Sequence, residues 1–317
     1  MLNLILNENM KIYRRIRTWI LVILLFLIIL GAAILVDTHL PQKDPNWRVT
    51  LQQSIVQNNK IIQQGSKSGV PANMISQLKI QNAQNQYQLS HNMANPLTGW
   101  QFSSEFIMTG GNFLLIVFVA IVAGDIVASE FSQGTIKLLL TRPRTRYEIL
   151  LSKFLALVIF SFFLTLCSVA LSILIGFIFF GTNGYSIPTL IVTSGGNIAS
   201  VSLISFFLMI YGLNTITVIA IASIAFMIST IFRSSAVAIA ISLITLFVGS
   251  TISSLLQSYS WDKYLIFSNL GIAGYLTSGP TLPGLTLTFS LIVLFVYVVV
   301  MIALSLWIFK RRDVALT

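Results

Sequence analysis

Residues 19–36 read WILVILLFLIILGAAILV, an unbroken apolar run without a charged side chain. A helix needs about 20 predominantly apolar residues to cross the hydrocarbon core of a bilayer. The run therefore predicts a membrane-spanning helix that begins at Trp19 and ends at Val36. A polar stretch follows it, as in a signal peptide, but a run of this length exceeds a typical signal-peptide core. We therefore interpret it as a span that is retained.

The composition of the whole chain agrees with this interpretation. The 317 residues are 56% apolar and only 9% charged, whereas an average soluble domain carries about 25% charged residues. So few charges cannot cover a water-facing surface, and the sequence predicts an all-α integral membrane protein. Five further apolar runs are long enough to cross a bilayer, which gives six transmembrane helices in total. These runs are residues 106–128, 150–180, 199–232, 234–257 and 285–309.

The net charge is +10, and the basic residues are distributed unevenly among the loops. Thirteen of the nineteen lysines and arginines lie in four segments that alternate spans bring to one side of the membrane. Loops rich in Lys and Arg stay in the cytoplasm, so both termini are expected there. The composition further suggests a bacterial plasma membrane. The excess of basic residues is interpreted as a consequence of membrane topology and not as a sign of nucleic-acid binding. The four segments are residues 1–18, the loop 129–149 with the start of span three, the turn at Arg233, and the tail 310–317.

The reactive side chains exclude several classes of function. Cys167 is the single cysteine, and His39 and His91 are the two histidines, both in a polar stretch. An internal disulfide, a cysteine-built metal site and a histidine-based centre in the membrane are therefore excluded, and no catalytic, cofactor-binding or metal-binding residue is predicted. The sequence contains no Gly-x-x-x-x-Gly-Lys-Ser/Thr motif, so the chain has no P-loop for ATP.

The energy source is expected to lie on another protein. Intramembrane ionisable residues mark ion pathways, and Asp125 alone lies inside an apolar run. A carrier driven by protons or sodium ions usually has more such residues, so a separate ATPase is favoured. A secondary carrier or a channel is the alternative, and a membrane-embedded enzyme is a more remote one.

Three further segments are expected outside the spans. Residues 1–18 place apolar side chains on one helical face and basic ones on the other, which predicts an amphipathic interfacial helix, or else a plain basic flank of span one. Residues 37–105 are rich in Asn and Gln yet keep helical spacing of apolar residues, which predicts an outer helical hairpin. Residues 258–284 are too apolar for a free loop and too short for two spans, so a re-entrant segment is expected.

The loop after span two reads SEFSQGTIKLLLTRPRTRYEI over residues 129–149. Phe131, Thr135 and Leu138 fall on one helical stripe, which predicts a short amphipathic helix that is interrupted by Pro143. Exposed apolar residues followed by a basic end indicate a docking surface for a soluble partner. The alternative is a lipid-surface helix that only joins two spans.

A pattern of residues spans this loop and the start of span three: Glu130-Phe131, Gly134-Thr135-Ile136-Lys137, Leu139-Leu140, Arg142-Pro143, Arg146 and Ser152-Lys153. The pattern resembles the signature of ABC-2 type permeases, the membrane subunits of ABC exporters. The six spans, the N-terminal amphipathic helix and the outer segment extend the resemblance to the whole chain. The long outer segment departs from the shortest members of that family, so no substrate of a particular relative is carried over.

The resemblance implies an assembly and a mechanism. The helix after span two would be a cytoplasmic coupling helix seated on an ABC ATPase, and residues 1–18 would be the elbow helix. Two six-span halves, of the same or a related chain, would lie above two ATPase subunits that bind ATP and Mg²⁺. The complex would export a hydrophobic or amphipathic substrate, such as a drug, a peptide or a lipid-like molecule, by alternating access. The coupling residues so implied are Glu130, Phe131, Gly134, Thr135, Lys137, Leu138, Arg142 and Arg146.

Polar side chains within two spans are candidates for the transport pathway. They are Asn112 in span two and Tyr211, Asn214 and Thr215 in span four. Polar side chains in lipid usually face other helices. These four residues are therefore expected either to line a pathway between two halves or to hold neighbouring helices together.

Overall fold

The computed structural model describes residues 1–39, 46–68, 72–93, 97–135, 145–185, 187–193, 197–257, 259–280 and 284–311. It contains six helices long and apolar enough to cross a membrane, which confirms the predicted number of spans among these residues. Spans one to six are Ile16–His39, Gly99–Ser132, Arg146–Phe180, Leu203–Ile231, Ser235–Leu256 and Leu287–Arg311. The protein is thus an α-helical membrane protein.

Spans two, three and four form the centre of the bundle, and spans one, five and six lie around them. About half of the most apolar part of spans two and four is buried within the chain (56% in each case), against 17% in spans five and six. The outer spans therefore expose large apolar side chains, among them Leu27, Phe247 and Phe295. Lipid or another apolar surface must cover these side chains, because water solvates them poorly.

Span two begins at Gly99 rather than at Phe106 as the hydropathy predicts. Thr98 caps its first helical segment, Gly99–Phe106, by accepting a hydrogen bond from the backbone N–H of Gln101. One π-helical turn, Ile107–Gly111, joins this segment to Asn112–Asp125, and a short helix, Ala128–Ser132, completes the span. The segment Gly99–Phe106 contains Gln101, Ser103, Ser104 and Glu105. Hydropathy alone therefore does not predict that span two begins at Gly99.

Spans two and three cross closely because two glycines face each other. A Cβ atom added to Gly99 would lie 2.6 Å from the carbonyl carbon of Gly176. At the other end of span three, the spacing of Thr145 and Glu148 predicts a capping box. That prediction is confirmed, since each side chain bonds the backbone N–H of the other residue.

The two ends of the bundle differ in structure. At the end that we name the near end lie the N-terminal helix, Leu2–Arg14, the last turn of span two and the start of span three. At the opposite end, named the far end, two helices form an outer hairpin, Trp47–Ser68 and Ala72–Ser90. Buried asparagines join these two helices, with Asn58 donating to Asn82 at 2.9 Å. Hydrogen bonds between side-chain amides therefore stabilise the hairpin, in addition to the apolar contacts that the spacing in the sequence predicts.

The far end also contains one sheet among the described residues, which the all-α prediction misses. Strands β1 (Thr189–Val192) and β2 (Ile198–Val201) pair antiparallel. Span four consequently begins at Leu203, and not near residue 199 as predicted. Residues 199–201 of β2 directly precede the apolar run of span four, so hydropathy does not separate them from the helix.

Residues 259–280 form a folded outer loop of three short 3₁₀ helices, Asp262–Tyr264, Phe267–Asn269 and Ile272–Leu276. Asp262 is fully buried, and its Oδ1 accepts hydrogen bonds from Ser268 at 2.8 Å and from Ser253 of span five at 3.4 Å. The outer loop is therefore fixed to the end of span five by a buried carboxylate.

Candidate functional site

The N-terminal helix turns its polar side toward the protein. Glu8, Asn9 and Ile12 are buried, whereas Leu2 and Leu6 are exposed. An amphipathic helix at a membrane surface is expected to place apolar residues in the lipid and basic residues in water. Here the exposed apolar side chains fit a lipid boundary, but much of the polar face bonds to the rest of the chain.

Four charged residues meet at the near end, and we name Glu8, Lys11, Glu130 and Lys153 the ion-pair cluster. Lys11 Nζ lies 2.8 Å from Glu8 Oε1 and 2.9 Å from Glu130 Oε1. Lys153 Nζ lies 2.7 Å from Glu8 Oε2 and 3.0 Å from Glu130 Oε1. Each lysine thus bridges both glutamates. The cluster joins the N-terminal helix, the end of span two and the start of span three.

Burial makes these contacts stronger than surface ion pairs. Lys153 is 2% exposed and Glu130 is 6% exposed, so water screens their attraction little. Lys11 is more open; burial lowers its pKa, but hydrogen bonds to Glu8 and Glu130 outweigh that effect and raise the pKa above its usual value. Lys11 therefore stays charged in neutral solution, and the two positive and two negative groups balance.

A second group of charges surrounds Asp125, which the sequence leaves without a partner. Arg15 and Arg17 both form ion pairs with its Oδ2, and Ser235 at the start of span five donates to its Oδ1. Arg15 also donates to Ser129 Oγ at 3.1 Å. Asp125, in span two, is thus connected to Arg15, to the start of span one through Arg17, and to span five through Ser235.

Only the first part of the predicted coupling-helix segment, through Thr135, lies within the described residues. The helix Ala128–Ser132 is followed by a turn in which Gly134 has a φ of +71°, a left-handed conformation that favours glycine. Thr135 then folds back, and its Oγ1 donates to Glu130 Oε2 at 2.5 Å. The expectation of one continuous stripe through Phe131 and Thr135 is therefore wrong, because the glycine turn separates them.

The other implied coupling residues occupy different environments. Phe131 packs edge-on against Phe309 of span six, with ring centroids 6.5 Å apart. Arg146 donates to the carbonyl oxygens of Phe309 and Lys310, at 3.5 and 3.3 Å. Both residues thus bind the near end of span six. Lys137, Leu138 and Arg142 lie outside the described residues.

The candidate pathway residues lie within the bundle of a single chain. Tyr211 is buried, and its hydroxyl lies 2.9 Å from Ser103 Oγ in span two. Asn214 and Thr215 are also buried and bond backbone carbonyls of their own helix. Asn112 is half-buried and donates to Thr217 Oγ1 of span four at 3.3 Å. This geometry fits the interpretation of Tyr211 and Asn112 as links between helices; a role in transport stays a prediction.

Sequence reasoning missed the partners of Glu130 and Asp125. A signal was present, since Glu8, Lys11 and Arg15 recur at helical spacing in residues 1–18 and form a charged stripe along that helix. A charged stripe on an interfacial helix is expected to face water. In the structure, Lys11 and Arg15 of this stripe instead bind Glu130 and Asp125 at the end of span two.

Comparison with known proteins finds a family and two relatives to which this chain is similar. A family model described as a protein of unknown function, DUF2705, matches residues 70–315. "Uncharacterized protein YhcI" of Bacillus subtilis (strain 168) is 32% identical over 323 residues, covering 99% of this chain and 100% of its own length. "Uncharacterized membrane protein YdbK" of the same organism is 32% identical over 207 residues, covering 64% of this chain and 79% of its own length.

Proposed function

The chain belongs to the DUF2705 family, and we propose that it is the membrane-spanning subunit of an ATP-driven ABC transporter that exports a hydrophobic or amphipathic substrate. Two copies, or this chain and a related one, face each other in a bacterial plasma membrane with their near ends in the cytoplasm. A separate ABC ATPase, in two copies, binds ATP and Mg²⁺. The near end, with both termini, meets that ATPase.

The ion-pair cluster is the observation that carries this proposal. Glu130 lies in the last turn of span two, and Glu8 lies 122 positions earlier in the N-terminal helix, yet the same two lysines bind both. A displacement of the residues after span two would therefore also move the N-terminal helix and span three, because the ion-pair cluster joins these elements. This is the connection that a permease driven from its cytoplasmic face requires.

The residues around Gly134 form the surface on which the ATPase would act. Ser132, Gln133 and Gly134 are exposed, although the neighbouring Ala128, Ser129 and Glu130 are buried. A soluble partner thus reaches the turn directly, while the buried residues behind it link the turn to the bundle.

A cysteine cross-linking experiment tests the partner and the topology together. In a Cys167→Ser background, which removes the single native thiol, Gln133→Cys places a thiol on the exposed turn. We expect it to cross-link to a co-expressed ATPase and to react with a membrane-impermeant thiol reagent only in inside-out vesicles. Ser90→Cys, at the end of the outer hairpin, is the matched control and is expected to react only in right-side-out vesicles and to give no cross-link.

Transport by the chain in liposomes without an ATPase would contradict the proposal and favour a secondary carrier or channel. Coupling is tested with Glu130→Ala, which is expected to uncouple ATP hydrolysis from transport while membrane insertion is normal. Glu8→Ala removes the other carboxylate of the same ion-pair cluster and is expected to uncouple the complex as well. Lys79→Met, on the outer hairpin, is the control; a transport loss in that variant equal to the loss in Glu130→Ala would contradict a coupling role for the cluster.

A further inference from the structure

A cavity of about 190 Å³ lies at the far end of the bundle. Its walls come from four parts of the chain: the outer hairpin, the start of span two, the region from the sheet into span four, and the outer loop. Gln84 joins two of these parts, since its Nε2 donates to the carbonyl oxygen of Thr277 at 2.8 Å. The cavity is therefore a product of the tertiary fold and not of a single surface loop.

Glu105 is the one charged residue among the described residues that line this cavity. Within the described part of the chain, its carboxylate has no hydrogen-bond or ion-pair partner. The Glu105 side chain is exposed at the cavity wall, so water screens its charge in part and reduces its attraction for a cation. The cavity thus has an unbalanced negative charge at its wall.

The remaining walls suit a cation that has an apolar part. Gln88 and Gln101 also line the cavity, and amide oxygens accept hydrogen bonds from N–H groups. Met108 and Phe206 form an apolar side, and aromatic rings and methionine sulfur make favourable contacts with cations and alkyl groups. No lysine or arginine is among the described lining residues, so an anion has no counter-charge there.

We propose that this cavity binds a small organic ammonium ion, with the nitrogen at Glu105 and the alkyl part against Met108 and Phe206. The volume corresponds to about six water molecules in the liquid, so a chain of four carbons and one nitrogen fits. The ammonium group can come from a free amine or from the headgroup of an ethanolamine lipid. This site lies at the opposite end from the ion-pair cluster and does not depend on an ATPase.

Ligand-observed nuclear magnetic resonance on the full chain tests the proposal. The protein is purified without an ATPase in a maltoside detergent, whose headgroup contains no ammonium group. Butylammonium is the probe, and 1-butanol is its neutral analogue of similar shape. We expect butylammonium to bind at least tenfold more tightly than 1-butanol, and Glu105→Gln to weaken butylammonium binding at least tenfold.

Glu148→Gln, at the near end, is the matched control and is expected to leave butylammonium binding unchanged. Equal binding of the two ligands to the unmodified protein would overturn the proposal, as would butylammonium binding that Glu105→Gln does not weaken. The ligand comparison on the unmodified protein is decisive even if the Glu105 variant does not fold. Added phosphatidylethanolamine then identifies the source: competition with butylammonium indicates the lipid headgroup, and its absence, relative to phosphatidylglycerol, indicates a free amine.

Discussion

Replacing Lys153 by methionine tests whether the ion-pair cluster stabilises the near end. Lys153 Nζ lies 2.7 Å from Glu8 and 3.0 Å from Glu130, and the side chain is almost fully buried. Methionine keeps much of the length and apolar volume of the stem but removes the charge. Two buried carboxylates then share Lys11 alone, so one negative charge in the cluster is left without compensation.

The structure sets the expected magnitude. Removing one partner of a buried ion pair destabilises a protein by about 3–5 kcal/mol, because the other charge stays buried and unpaired. Solvent screening reduces this little at Lys153 and Glu8, whose side chains are 2% and 5% exposed. For a chain of this size, such a loss lowers the thermal midpoint by on the order of 10 °C.

The assay is heating of purified Lys153→Met, followed by size-exclusion chromatography to measure the fraction that stays monodisperse. Lys79→Met is the matched control, because Lys79 is exposed on the outer hairpin and should shift the midpoint little. The double variant Glu8→Gln with Lys153→Met should recover part of the loss, since it removes one of the uncompensated charges. A midpoint for Lys153→Met that equals that of the Lys79 control would refute the reasoning.

Three further substitutions test other parts of the structure, two by the same thermal assay and one by limited proteolysis. Gly134→Ala should destabilise by about 1–2 kcal/mol, because alanine is strained at a φ of +71°; an unchanged midpoint would contradict the turn. Gly99→Ala should lower the midpoint because its Cβ would lie 2.6 Å from Gly176, whereas the control Gly212→Ala has no atom within 4 Å and should be tolerated. Asp262→Ala should free the outer loop from span five, and it should speed proteolysis within residues 259–280; equal cleavage of the parent protein would contradict that anchor.

The sequence predicted the spans because hydropathy over about 20 residues directly reflects the thickness of the bilayer. It was also sufficient for the cap of span three, where Thr145 and Glu148 are close in the chain and depend on nothing else. The start of span two and the strand at Ile198–Val201 were not predicted correctly. The start of span two depends on a distant contact, that of Gly99 with Gly176. The strand depends on pairing with Thr189–Val192, which the hydropathy of the span does not show.

The candidate site was predicted only in part for the same physical reason. Glu130 could be identified from its position after the predicted span two, but its partners Lys11 and Lys153 are far from it in sequence. Charge pairing over such distances leaves no periodic pattern. A cavity such as that at Glu105 is still harder to predict, since its volume depends on how four separate segments pack.

The ion-pair cluster is better understood as a device for fixing register than as a source of stability. Well-packed apolar residues can replace a buried ion pair without loss of stability, so the charges need another explanation. Here each of two lysines contacts both glutamates. A slide of the N-terminal helix by one turn would move Glu8 and Lys11 about 5.4 Å. It would break the Lys11–Glu130 and Lys153–Glu8 pairs and leave Glu130 and Lys153 with only each other. Because the loss of buried ion pairs is costly, the ion-pair cluster holds the N-terminal helix in register with the end of span two and the start of span three, as the proposed coupling to an ATPase would require.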